Sequence, residues 1–323
     1  MFWILACTTA NHEMEIPTLD SPSDDPSDYE VDTTTSYTLQ ISEPRWVVPS
    51  DSLPTGVEEK ASNNNVDITF FRDRLYLAWR SSPTHFAGEE TEMWVISSPD
   101  MGQSWALEHQ IALEADVREP RFLVWEDELQ LIMFEAGTNP LAFEPLQMWR
   151  TFRLESGDWS QEETFGPPET VPWDVKARNG KIWMTTYDGE HYGDGDVYVR
   201  FWESEDGRNW SYVNDRPYVY VGGVSEVAFE FTASGDLWAV GRNEDGDDTG
   251  AGTNICFASA NDLSDWTCSA EADPERYDSP ELFRHGDDIY MAARRDVGGP
   301  FGPEGDLLAY SLRPKRSALY RLN

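Results

Sequence analysis

Five short apolar segments recur through the chain at nearly constant spacing, and this periodicity restricts the fold more than any other feature. They are Leu75-Tyr-Leu-Ala-Trp-Arg80, Leu129-Gln-Leu-Ile-Met-Phe134, Ile182-Trp-Met-Thr-Thr-Tyr187, Leu237-Trp-Ala-Val-Gly-Arg242 and Ile289-Tyr-Met-Ala-Ala-Arg294, whose first residues lie 54, 53, 55 and 52 positions apart. A polar turn such as Arg72-Asp73-Arg74 or Asn179-Gly180-Lys181 precedes each, and another apolar strand precedes the turn, as in Ile68–Phe71, Phe122–Trp125 and Val227–Phe231. A loop and a second hairpin follow each segment, at Met93–Trp105, Met148–Trp159, Val197–Trp210, Asn254–Trp266 and Leu307–Leu322. Two hairpins per repeat make four strands, and radial stacking of such units is how a sheet protein removes its open edges. The expectation is an all-β chain, a five-bladed β-propeller of four-stranded antiparallel blades over residues 45–323, with Arg45–Val48 closing the ring.

With 24 Lys+Arg against 60 Asp+Glu and a formal charge of -36, the chain is unsuited to nucleic acid, which needs a basic face to displace counterions. Anionic membrane surfaces are disfavoured for the same reason, and no apolar run approaches bilayer length. Residues 1–10 are an apolar stretch in which Ile4-Leu5-Ala6-Cys7 resembles a truncated signal with a lipobox, making Cys7 a lipidation candidate and the only route to a membrane. Residues 11–44 hold nine acidic residues and no Lys or Arg, the composition of a disordered tether. Cys256 and Cys268 are placed symmetrically about a hairpin turn, which predicts a disulfide between its strands and an exported, oxidising location; with the resemblance to a bacterial lipobox at Cys7, the expected place is a bacterial cell envelope. A monomer is expected.

In a propeller the ends of the second strands and the starts of the first strands open on one face around the axis. The second strands end in Arg80, Phe134, Tyr187, Arg242 and Arg294; three arginines in register are conspicuous in a chain so poor in cations, and their planar forks suit carboxylates. The first strands begin with Asp67, Glu119-Pro-Arg121, Asp174-Val-Lys176, Ser225-Glu226 and Asp278-Ser-Pro-Glu281, so every repeat brings a carboxylate to the same rim. Paired carboxylates are the usual apparatus of glycoside hydrolysis. The competing use of these residues is structural, as arginine–carboxylate pairs between neighbouring blades. His85 and His191, beside Phe86 and Tyr192, belong to loops on that face and are able to contact a sugar. The acidic loops Gly193-Asp-Gly-Asp196 and Glu244-Asp-Gly-Asp-Asp248 offer oxygens to Ca²⁺, but without EF-hand spacing, and solvated turns are their commoner use; no cofactor and no metal centre are predicted.

The second hairpins carry a further pattern. Ser98-Pro-Asp100-Met-Gly102-Gln-Ser104-Trp105 matches S-x-D-x-G-x-[ST]-W, and Ser204-Glu-Asp206-Gly207-Arg-Asn-Trp210 is a shortened variant. Here the chain resembles the sialidase-like Asp-box (BNR-repeat) β-propellers, for which six blades would be the alternative to five. Ser225-Glu226 through Glu230, Gly235-Asp-Leu237 and Arg242 are similar to the sialidase segment carrying a glutamate that assists a tyrosine nucleophile, and the resemblance then implies Tyr277 as that tyrosine. A second resemblance is to five-bladed furanosidases and mannoside phosphorylases, carried by Arg118-Glu119-Pro120-Arg121; it implies Asp67 as base, Asp174 as modulator and Glu226 as acid. On these grounds the expected function is that of a glycoside hydrolase acting on an acidic or polyhydroxylated glycan. The catalytic candidates are Glu226, Asp67, Asp174 and Tyr277, and substrate is held by Arg80, Arg242, Arg294, Arg121, Lys176, Glu119, Tyr187, Asp278, Glu281 and His85. The alternative is a non-catalytic surface lipoprotein that binds glycan or protein through Phe86, Phe143, Tyr192 and Phe301.

Overall fold

The computed structural model describes residues 45–275, 277–296 and 315–322. Cys7, Phe301, the segment 1–44 and the first half of the fifth outer hairpin lie outside them. The fold is a five-bladed β-propeller built from antiparallel sheets. Blade 1 comprises β1 (Ser62–Phe71), β2 (Arg74–Ser82), β3 (Glu92–Ser98) and β4 (Ala106–Ile111). Blade 2 comprises β5 (Asp116–Trp125), β6 (Glu128–Ala136), β7 (Pro145–Arg153) and β8 (Glu163–Phe165). In blade 3, β9 (Val171–Arg178), β10 (Lys181–Gly189), β11 (Val197–Ser204) and β12 (Ser211–Tyr212) are joined by β13 (Tyr220–Gly222), which also pairs with β11. Blade 4 runs β14 (Val224–Phe231), β15 (Leu237–Asp247), β16 (Gly250–Ala258) and β17 (Thr267–Cys268). The described part of blade 5 is β18 (Asp278–His285), β19 (Asp288–Asp296) and β20 (Lys315–Leu322).

Tight two-residue turns join the inner strands of blades 1, 2, 3 and 5, where the polar punctuation predicted a turn, and a longer one, residues 232–236, joins those of blade 4. Asn179 and Gly180 take φ of 55° and 71°, the left-handed pair that matches strand twist. Arg72 and Asp73 adopt the same geometry at 46° and 62° without the usual glycine; there Arg72 reaches Asp127 of the next blade at 2.7 Å.

Apolar clusters cement the blades pairwise. Tyr76, Met93 and Val95 of blade 1 meet Val117, Phe122 and Leu131 of blade 2. Leu123, Ile132 and Met148 meet Val175, Met184 and Trp202. Trp183 and Phe201 meet Phe229 and Phe231, and Ala228 and Val240 meet Leu282 and Met291. Arg45–Val48, expected to close the ring, forms no strand. Val47 and Val48 instead bury against Leu75, Leu77, Trp94 and Trp105 on the other face of blade 1, with no strand pairing. Burial of two valines supplies apolar contact without needing a ladder. Cys256 and Cys268 are register partners and form a disulfide across a 12-residue separation.

Candidate active site at the propeller mouth

Each inner strand is interrupted by a bulge near its start. The register shifts between Asn64 and Val66, Arg118 and Arg121, Ser225 and Val227, and Asp278 and Glu281. The extra residues Asn65, Glu119, Glu226 and Ser279 have φ of 45°, 50°, 51° and 47°. In blade 3 the corresponding residue is Pro172, whose ring forbids positive φ, and the shift moves past it to Trp173. A bulge re-aims a side chain, and a left-handed non-glycine residue persists only where its surroundings hold it. The same device, repeated around the axis, gathers unlike polar side chains into one mouth.

The bulge residues are tied across blade boundaries. Asn65 donates to Glu119, whose other oxygen takes a bond from Arg121 at 3.4 Å. Glu226 Oε1 accepts from Arg242 at 2.8 Å, while its Oε2 accepts from the backbone N–H of Ser279 at 3.0 Å and the Ser279 hydroxyl at 3.4 Å. One layer further in, Asp67 accepts the N–H of Phe122 at 2.5 Å and Asp174 that of Phe229 at 2.9 Å, each in the next blade. Arg121 donates to the carbonyl of Trp173. Lys176 bridges Asp174 at 2.5 Å and Glu281, from across the axis, at 2.9 Å.

Their surroundings shift these carboxyl groups in different directions. Burial pushes Asp67 up to about 7, against the opposing pull of Arg121, and Asp174 up to about 6, against Lys176. Burial also raises Glu119; Arg121 counters it and the neighbouring Glu226 charge adds to it. Glu226 is buried too, yet Arg242, Arg294 and the Ser279 N–H outweigh desolvation and hold it below the ordinary glutamate range. Tyr187 lies beside this pair, its hydroxyl kept protonated by burial and by the Glu226 charge. His85, at the blade 1 rim, is held below the usual histidine range by burial and by Arg118.

The three strand-end arginines differ sharply. Arg80 is fully buried; it pairs with Asp116 at 2.8 Å and binds the carbonyls of Thr84 and Phe86. Arg242 is buried among Glu226, Glu244 and Asp278, the last at 3.0 Å. Arg294 keeps 44% of its side chain exposed, with Asp278 at 3.6 Å. Tyr277 is not brought to Glu226: its hydroxyl donates to Asp273 at 3.2 Å and its ring packs on Tyr320. The acidic loops 193–196 and 245–248 line one cleft of about 490 Å³ together with Tyr220–Gly222. Among the described residues no group of three or more His, Cys, Asp or Glu is disposed to hold a metal ion. Sequence reasoning missed the bulges, although Glu119, Glu226 and Ser279 occupy equivalent places in the repeat and Glu119 and Ser279 each precede a proline.

No family model matches the chain, and no curated protein does. Solved structures do match. A mutant Trypanosoma rangeli sialidase displaying trans-sialidase activity is 14% identical, covering 81% of this chain and 46% of its own, with a TM-score of 0.57. Trypanosoma rangeli sialidase in complex with sialic acid is 13% identical over 81% of this chain and 45% of its own, at 0.55. Sucrose-6-phosphate hydrolase from Lactobacillus gasseri is 13% identical over 80% of this chain and 58% of its own, at 0.51. The chain spans about half the length of these proteins. At such identity the likeness is one of fold, the β-propeller of sialidases and of propeller glycosidases.

Proposed function

We propose that this chain is a glycoside hydrolase acting on a hydroxyl-rich glycan at the propeller mouth, with Glu119 as general acid and Glu226 as its ionised partner. One observation carries the reading. Glu119 and Glu226 hold the same bulged position on blades 2 and 4, Glu119 feels the charge of Glu226, and their surroundings shift the two carboxyl groups in opposite directions. Two carboxyl groups whose environments separate them in this way are the acid–carboxylate pair of glycoside chemistry. The acid role expected for Glu226 therefore passes to Glu119, since Arg242 favours the charged form of Glu226.

Asp67 and Asp174 each occupy a backbone N–H of the next blade, which makes them fasteners of the mouth and modulators of its field. Arg80 and Arg242 are committed to internal carboxylates, so the reading favours a neutral polyol over an anionic sugar; Arg294 is the most exposed of the three strand-end arginines. The Cys256–Cys268 disulfide supports export to an oxidising compartment.

A second reading, a propeller that binds glycan without turning it over, is favoured by aromatic rings on the mouth loops. Phe86 is 61% exposed and Tyr192 52%, and exposed rings suit the apolar faces of sugars. The test is hydrolysis of a panel of 4-nitrophenyl furanosides, mannosides, uronides and sialosides by the wild type, Glu119→Gln and Glu226→Gln, with binding to a glycan array in parallel. Turnover of a neutral glycoside that both variants lose supports the enzyme. Binding without turnover selects the second reading, and turnover unaffected in both variants removes the assignment of the pair.

A further inference from the structure

Glu226 is poorly suited to take a proton. Its two oxygens already accept three hydrogen bonds, and each lowers its basicity. If a hydroxyl group attacks the sugar at this mouth, another residue must receive its proton. The loop between β10 and β11 brings one. Two consecutive residues of β15 fasten two consecutive residues of that loop: Glu244 takes the hydroxyl of Tyr192, and Asp245 Oδ2 lies 2.7 Å from His191 Nδ1 and 3.1 Å from the Tyr192 backbone N–H. Tyr192 is held at a φ of 65°, a conformation that bulky residues rarely adopt.

The imidazole is boxed on several sides. Tyr192 stacks on it at 3.8 Å, and Phe143 and Tyr187 close it edge-on at 5.5 Å each. Only 4% of its side chain is exposed. Nδ1 is committed to Asp245, which leaves Nε2 as the ring nitrogen with no hydrogen bond to the described residues. The ring lies within electrostatic reach of Glu226. The charged and titratable groups around it are Asp245, Glu244 and Arg242 of β15, Glu226 of β14, Tyr187 of β10 and Tyr192 of its own loop. A histidine whose Nδ1 is fixed by a carboxylate presents a definite tautomer at Nε2, and the carboxylate stabilises the cation formed on protonation.

We propose that His191 is the general base of the mouth and that Asp245 is its positioning residue. This rests on the glycoside-hydrolase reading above. As the glycosidic C–O bond breaks, Glu119 gives its proton to the departing oxygen. The oxygen of a water molecule bonds to the anomeric carbon, and its proton passes to His191 Nε2. Glu226 stays ionised throughout and stabilises the positive charge on the sugar. The turnover leaves Glu119 without its proton and His191 with one more, and solvent returns the difference.

The experiment uses the full chain and whichever 4-nitrophenyl glycoside the wild type hydrolyses fastest. His191→Ala is expected to lose about 10²–10⁴-fold in kcat, the range for removal of a general base, with KM little changed and part of kcat restored by added imidazole. Asp245→Asn is expected to lose roughly tenfold or more in kcat, without imidazole rescue, because its histidine remains in place. An unchanged kcat in His191→Ala, or a loss that imidazole does not restore, overturns the proposal. Absence of turnover by the wild type on every glycoside removes the enzyme reading and this proposal with it, whereas wild-type turnover that survives in His191→Ala removes this proposal alone.

Discussion

The two ends of the propeller use the same side chain in opposite ways. At the outer-hairpin turns, on the face away from the mouth, Asp100 accepts the N–H groups of Gln103 and Ser104 and the hydroxyls of Ser98 and Ser104. Those bonds hold its carboxyl down to about 2. Asp206 does the same with Arg208 and Asn209 and is likewise depressed. At the mouth, Asp67 accepts the backbone N–H of Phe122, yet burial pushes it up to about 7. Asp100 meets several donors at the surface, whereas at Asp67 desolvation outweighs the donors it has. Donor supply and desolvation, rather than residue type, decide whether a carboxylate is a permanent anion or a proton carrier.

The largest test of that contrast removes mouth carboxyls. Glu119→Gln is expected to reduce turnover by about 10³-fold, within the range for loss of a general acid, while the melting temperature stays close to that of the wild type. Arg242→Met attacks the cation that joins Glu226, Glu244 and Asp278. Breaking a buried ion network of this kind costs about 3–5 kcal/mol, readable as a lower midpoint in urea. Replacing Cys256 and Cys268 together by serine is expected to lower stability by about 2–3 kcal/mol, from the short loop that the disulfide closes, with activity retained because the bond lies in the outer strands of blade 4.

Two smaller predictions set the ends against each other by pH. The folded Asp67 binds its proton up to about 7, whereas the unfolded chain releases it near the ordinary value of 3.8. Stability is therefore lost as pH rises from about 4 to about 7. Asp67→Asn should flatten that decline and raise the melting temperature by roughly 3–6 °C above pH 7, with little change at pH 4. Asp100 has the opposite sign. Its contribution is present above the unfolded value and fades as pH falls toward about 2, so Asp100→Asn should melt slightly lower than the wild type at pH 7 and at the same temperature near pH 2. Identical pH profiles for the two variants would remove the distinction between the ends.

Much of the architecture was legible in the residues alone. The repeat of Leu75, Leu129, Ile182, Leu237 and Ile289 defines five equivalent inner hairpins, and alternating apolar residues with polar turns act locally, so the order of strands follows from short-range pattern. The symmetric cysteines likewise anticipated the Cys256–Cys268 bond. The roll of rim residues was legible too, because strand ends fall at fixed places in the repeat. What each does there was not. Arg80, Arg242 and Arg294 look alike in register, yet one is enclosed by Asp116 and loop carbonyls, one by three carboxylates, and one is turned toward solvent. Tyr277 and Glu226 are matched by motif but point to different partners. The sequence by itself determined the blades, their number and the chemical types arriving at the mouth. Only the tertiary structure decided which carboxyl is shifted up, which is shifted down and which cation remains exposed, because such shifts depend on burial and on charges contributed by other blades, at distances that no single repeat encodes.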